Sequence, residues 1–131
     1  MNVNSVGYYK EMPHATKATE SIYDHINKEK QENVDNICRY LESGVEFIVS
    51  PGKVEDVIKP ENGTAGSPST FTDGIWCWPG DLSYYVRKYR LKLPDEFIST
   101  MQSRDWKCNL KFEDLDYDEI IIDGVDYSDA G

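Results

Sequence analysis

The residues whose types and spacing bear on chemistry fall into a few small sets. Asp114, Asp116 and Asp118 stand at alternate positions, a spacing that can offer carboxylate oxygens to a divalent cation. The run lacks the central glycine and the distal bidentate glutamate of an EF-hand loop, so the spacing alone predicts no metal site. His14 and His25 belong to no HxH, HExxH or Cys-His cluster, and zinc chemistry has no ligand set. His14, after Pro13, is expected to make a local structural hydrogen bond, and His25, beside Ile22 and Ile26, to lie partly at the surface. Cys38, Cys77 and Cys108 are too far apart for CxxC metal or redox spacing and are expected to be small core residues in a reducing compartment. There is no GxSxG elbow and no glycine-rich phosphate loop. Arg87, Lys88, Arg90 and Lys92 beside Tyr84, Tyr85 and Tyr89 have a composition that touches phosphate. Their spacing fits better the exposed face of a helix whose tyrosines reach the core. No catalytic set and no cofactor site emerges.

Charge is distributed unevenly. The 131 residues carry a formal net charge of −10. Residues 112–131 hold eight acids (Glu113, Asp114, Asp116, Asp118, Glu119, Asp123, Asp126, Asp129) and no Lys or Arg, so residues 1–111 contribute only −2. A surface of this sign repels nucleic acid and speeds capture of a cationic protein. A solubilising acidic tail is the plain alternative. Against it, the acids are interleaved with Leu115, Tyr117, Ile120, Ile121, Ile122, Val125 and Tyr127, apolar residues that a solvating tail does not need. The segment is expected to be an ordered acidic strand. Its Asp114, Asp116, Tyr117, Asp118, Glu119, Asp123, Asp126 and Tyr127 are the candidate partner-binding residues, with Tyr117 and Tyr127 as aromatic anchors.

The elements that must position these residues follow from periodicity. Residues 1–15 read as a docked aromatic arm. Thr16 to Ser43 reads as two helices or as one helix with a frayed polar middle at Asn27–Asn33, clearest where Val34, Ile37, Cys38 and Leu41 repeat at i, i+3, i+4 and i+7, with Gly44 as its stop. Val45–Val49 is a buried strand, and Lys53–Ile58 carries apolar spacing for one or two helical turns. Residues 60–74 form a long Pro/Gly/Ser/Thr-rich loop. Ile75–Trp78 is a strand with Trp76 and Trp78 on one face, packing in the core. Asp81 then caps a helix, and Leu93-Pro94-Asp95-Glu96 opens another. Trp106, Cys108, Leu110 and Phe112 alternate with polar residues and predict a half-buried strand. Glu119–Asp123 is the last strand. The prediction is one compact α+β domain over 1–131, with about four strands and four helices and an acidic C-terminal strand segment. No apolar run approaches the roughly 20 residues of a membrane span, and the N-terminus has no signal-peptide pattern, so a cytoplasmic protein without membrane contact is expected.

The stretch Thr72-Asp73-Gly74-Ile75-Trp76-Cys77-Trp78-Pro79-Gly80-Asp81-Leu82-Ser83-Tyr84-Tyr85-Val86 resembles the TDGxWxWPGDLxYYV signature of small bacterial immunity proteins of contact-dependent inhibition and polymorphic toxin systems. Leu93–Ile98, Tyr8–His14 and Ser50-Pro51-Gly52 fit the same pattern, so the resemblance covers about residues 7–103. It implies a non-catalytic inhibitor of a cognate toxin domain and no catalytic residues. Many such toxins are basic nucleases, which the acidic segment 112–131 would suit. Segment 104–131 departs from the pattern, which places a partner-specific surface there. The alternatives are a small carboxylate-based enzyme or metal-binding protein, and an adaptor with an acidic tail.

Overall fold

The computed structural model describes residues 1–127. Along the chain lie β1 (Asn2–Ser5), α1 (Gln31–Glu42), β2 (Val45–Ile48), β3 (Val54–Glu55), β4 (Thr64–Gly66), β5 (Thr70–Thr72), β6 (Trp76–Pro79), α2 (Leu82–Tyr89), α3 (Asp95–Ser103), β7 (Ile121–Ile122) and β8 (Val125–Asp126). Single 3₁₀ turns lie at Ile22–Asp24, Pro60–Asn62 and Phe112–Asp114. The fold is a single α+β domain, but the described residues hold eight short strands and three α-helices rather than four of each. The main sheet has the order β2-β5-β6-β1-β7-β8, and β3 pairs with β4 in a separate hairpin. Strand β1 runs parallel to both of its neighbours, β6 and β7. The beginning of the expected arm is therefore an inner strand; only the chain after it docks as an arm, burying Tyr9, Met12 and Ala15.

Side-chain alternation along β6 divides the interior in two. Trp76 and Trp78 point to the helices, each with its ring centroid 5.4 Å from that of Phe97 in α3. Around them pack Val34, Ile37, Cys38 and Leu41 of α1 and Leu82, Tyr85 and Val86 of α2. Cys77 points to the opposite face, where it meets Val3 and Phe47. Leu115, Tyr117, Ile120 and Ile122 of the acidic segment close that second face.

The TDGxWxWPGD stretch is used within the fold. Asp73 Oδ1 accepts hydrogen bonds from the Ile75 and Trp76 amides at 2.8 and 2.6 Å, and its Oδ2 accepts one from Tyr40 Oη at 2.5 Å. Trp78 Nε1 donates to the Leu41 carbonyl at 3.2 Å, and Trp76 Nε1 to Thr100 Oγ1 at 3.1 Å. Gly44 is required for space: a Cβ there would stand 2.4 Å from Trp78 Cζ2, and its φ is outside the left-handed region that a glycine helix stop would use.

Several expectations are corrected. Residues 16–30 do not continue α1. Asn27 is left-handed at φ 62°, and the Asn27, Lys28 and Glu29 amides donate to the Tyr89 and Arg90 carbonyls, satisfying the C-terminal end of α2 instead of a helix of their own. Lys53–Ile58 is not helical: Asp56 Oδ1 accepts from the Ile58 and Lys59 amides at 2.8 and 2.9 Å and turns the chain there. The 60–74 loop contains β4 and β5, short Thr-bearing strands separated by residues that turn. Asp81 caps nothing with its side chain, which pairs with His14. Residues 106–110 keep the predicted alternation of covered and open side chains, Phe112 breaks it by facing solvent, and the segment forms no ladder. The left-handed pair Asp105 and Trp106 turns the segment onto the surface, where the Cys108 amide donates to Ser43 Oγ instead of to a strand. The expected strand Glu119–Asp123 is reduced to β7, because Asp123 and Gly124, both at positive φ, turn the chain into β8. Residues 128–131 of the acidic segment, Asp129 among them, lie outside the described residues.

Candidate functional site

The acidic segment is held from both ends. At its start, Asp114 Oδ2 accepts from the Lys111 amide at 3.0 Å while the Asp114 amide returns to the Lys111 carbonyl at 2.9 Å. At its end, the Ile121 and Asp123 amides donate to the Met1 and Val3 carbonyls at 2.8 and 3.0 Å, extending the pairing of β7 with β1. Between these ties the apolar residues face the sheet, and Glu113, Asp114, Asp116, Asp118 and Glu119 are exposed to solvent. Asp123 and Asp126 follow on the β7–β8 hairpin, also exposed. Two large apolar residues share this segment's open surface: Phe112 is 61% exposed and Val125 46%.

Neither of the two candidate anchor tyrosines is fully exposed. Tyr117 is half-buried, packs its ring 5.1 Å from that of Phe112, and encloses its hydroxyl where no hydrogen-bond partner reaches it. Burial raises its pKa. Tyr127 is half-buried too, with Lys17 Nζ 5.9 Å from its ring centroid. The residue that sequence spacing missed as an exposed aromatic is Phe112, because a strict alternation reading places it inside.

Other charged groups are engaged locally. Arg87 pairs with Asp35 at 3.1 Å and Glu42 at 3.6 Å, and Lys92 with Asp95 at 3.1 Å. The neighbouring Tyr84 and Tyr89 donate to Asp56 Oδ2. This matches the expected exposed helix face better than a phosphate site. Asp56, fully buried, also accepts from Asn62 Nδ2 at 3.1 Å. Burial pushes its carboxyl up, but the hydrogen bonds from Tyr89, the Lys59 amide, Asn62 and Tyr84 outweigh that and hold it at about 2. His14 Nε2 lies 3.0 Å from Oδ1 of the fully buried Asp81, a structural hydrogen bond as expected, but to a partner 67 positions away rather than a local one. His14 Nδ1 and Asp81 Oδ2 have no partner. Nothing in the sequence marks Asp56, Asp73 and Asp81 as buried, since the tyrosines and the histidine that meet them come from distant segments.

An open cleft of about 620 Å³ lies on the second face of the sheet, between the arm and the β7–β8 hairpin. Ser5, Tyr8, His14, Cys77, Asp123 and Tyr127 are among its lining residues. Burial pushes the Cys77 thiol up to about 12 and raises the Tyr8 hydroxyl as well, so neither is a nucleophile at neutral pH. Among the described residues, no group of three or more His, Cys, Asp or Glu is placed to hold a metal ion, and no helix is long and apolar enough to cross a membrane.

Comparison with protein-family profiles, with curated proteins and with solved structures found no match.

Proposed function

We propose that the chain is an immunity-type inhibitor that works in the cytoplasm. It binds a cognate toxin domain, a basic nuclease, and blocks it through the acidic segment 112–127 without chemistry of its own. One observation carries the reading: a continuous run of carboxylates, Glu113 to Glu119, is held outward on a frame whose apolar residues are fixed against the sheet. A solubilising tail needs no such frame. An ordered array of charge costs little to organise on binding and accelerates encounter with a basic surface. Phe112 and Val125 supply exposed apolar area beside the charge, in the place of Tyr117. The resemblance of residues 72–86 to immunity proteins agrees with this; most of that stretch is taken up by internal contacts, Ile75 being its exposed large apolar residue. The test is protection: co-expression with a cognate toxin domain should restore growth, and the combined replacement of Asp114, Asp116 and Asp118 by Asn should weaken that rescue without lowering the melting temperature. Undiminished rescue by the triple variant would remove the acidic segment from the function.

A further inference from the structure

We propose that the cleft between the arm and the β7–β8 hairpin is a socket for one arginine side chain of the partner protein; this rests on the reading of the acidic segment as that partner's landing surface. The volume, about 620 Å³, falls in the range of roughly 300–1,000 Å³ typical of ligand sites. The cleft is continuous with the acidic segment, because Asp123 and Tyr127 of that segment form one of its walls.

Its polar groups suit a cation. Asp123 accepts from the Ser5 amide at 2.8 Å through Oδ1 and from Ser5 Oγ through Oδ2. Each oxygen keeps a lone-pair direction, so the carboxylate is fixed in place and still open to the fork of a guanidinium. Glu20 adds a second, largely exposed carboxylate at the rim. The Tyr8 and Thr70 hydroxyls, 3.1 Å apart, add acceptor oxygens. Tyr127 supplies an aromatic face, and that face already receives a cation, the ammonium of Lys17 at 5.9 Å. Lys17 thus occupies the position an entering cation would take and must swing away. His14, the other basic group in the wall, is paired with Asp81. Arginine fits better than lysine, because a planar guanidinium can stack on Tyr127 and fork onto Asp123, which a point-charge ammonium cannot.

Titration of the isotope-labelled full chain with acetyl-arginine methylamide, followed by amide shifts in NMR, tests the socket. Saturable shifts are expected at Ser5, Thr70, Asp123 and Tyr127, and none with acetyl-glutamate methylamide. Lys17→Ala, which removes the resident competitor, should tighten the probe about three- to fivefold. Asp123→Asn should weaken it about tenfold while keeping the turn, since Asn tolerates the left-handed φ of 53° there. No saturable shift in the cleft, or a Lys17→Ala variant that binds the probe no better, overturns the socket. The triple replacement of Asp114, Asp116 and Asp118 by Asn separates the two claims. It should leave the cleft titration untouched, so cleft binding that persists while capture of the partner is unaffected would sink the acidic-surface reading alone. A silent cleft beside slowed capture would sink the socket alone.

Discussion

The two faces of the sheet use carboxylates in opposite ways. On the helix side, Asp56 and Asp73 are buried and surrounded by donors: tyrosine hydroxyls, backbone amides and, for Asp56, Asn62. On the other side, Glu113 to Glu119 present their carboxylates to water while their apolar neighbours close the core. A count of net charge treats these acids alike. Their surroundings make the first set part of the fold's framework and the second a surface available to a partner, so the two regions should respond very differently to mutation, pH and salt.

The largest effect is expected on the helix side. Trp78→Ala empties a fully buried ring and should cost about 3–5 kcal/mol by chemical denaturation. Trp76 is only half-buried, so Trp76→Ala should cost about half as much. Equal losses would mean that the two rings are equally enclosed.

Asp56→Ala comes next. It leaves Tyr84, Tyr89, Asn62 and two backbone amides without their acceptor and should cost about 3 kcal/mol. The same carboxylate gives the fold an acid limit. Its pKa is lowered from 3.8 to about 2, so its stabilisation is complete above pH 4 and disappears as pH falls toward 2, a loss of about 2 kcal/mol. Denaturation curves of the parent and of Asp56→Asn should converge in that window. A constant gap between them down to pH 2 would show that the charge at Asp56 contributes nothing.

Tyr117 tests the boundary between the regions. Its enclosed hydroxyl has no partner, so Tyr117→Phe should be neutral or stabilise by up to about 1 kcal/mol. Tyr117→Ala should lower stability through lost packing rather than speed dissociation of a partner. A faster dissociation rate with unchanged stability would favour the role of partner anchor that the sequence suggested for Tyr117.

How far each region was legible in the sequence follows from the range of the interactions that build it. Helices α1, α2 and α3 announce themselves by local periodicity, and β2 and β6 by compact apolar runs bounded by Gly and Pro. Strand β1 does not: Asn2-Val3-Asn4-Ser5 carries one large apolar residue and becomes a strand only because β6 and β7, from distant parts of the chain, pair with its two edges. Residues 106–110 show the converse, a correct alternation without a neighbouring strand to make a ladder. In the candidate site, the exposure of Asp114, Asp116, Asp118 and Glu119 was readable from local polarity. The inward turn of Tyr117, the Ser5 clamp on Asp123 and the cleft were not, since each depends on segments more than a hundred positions away or on the opposite face of the sheet.

The smallest effect on stability belongs to the acidic segment. Replacing Asp114, Asp116 and Asp118 together by Asn keeps the side-chain acceptors for the Lys111 and Asp118 amides and should change unfolding free energy by less than about 0.5 kcal/mol. Its effect on binding decides the account. The rate of association with the proposed basic partner, measured from about 50 mM to about 500 mM salt, should fall roughly tenfold for the parent as screening shortens the reach of the charges. For the triple variant the rate should start low and change little. A triple variant that associates as fast as the parent, with the same dependence on salt, would contradict the assignment of the acidic segment as the surface that captures the partner.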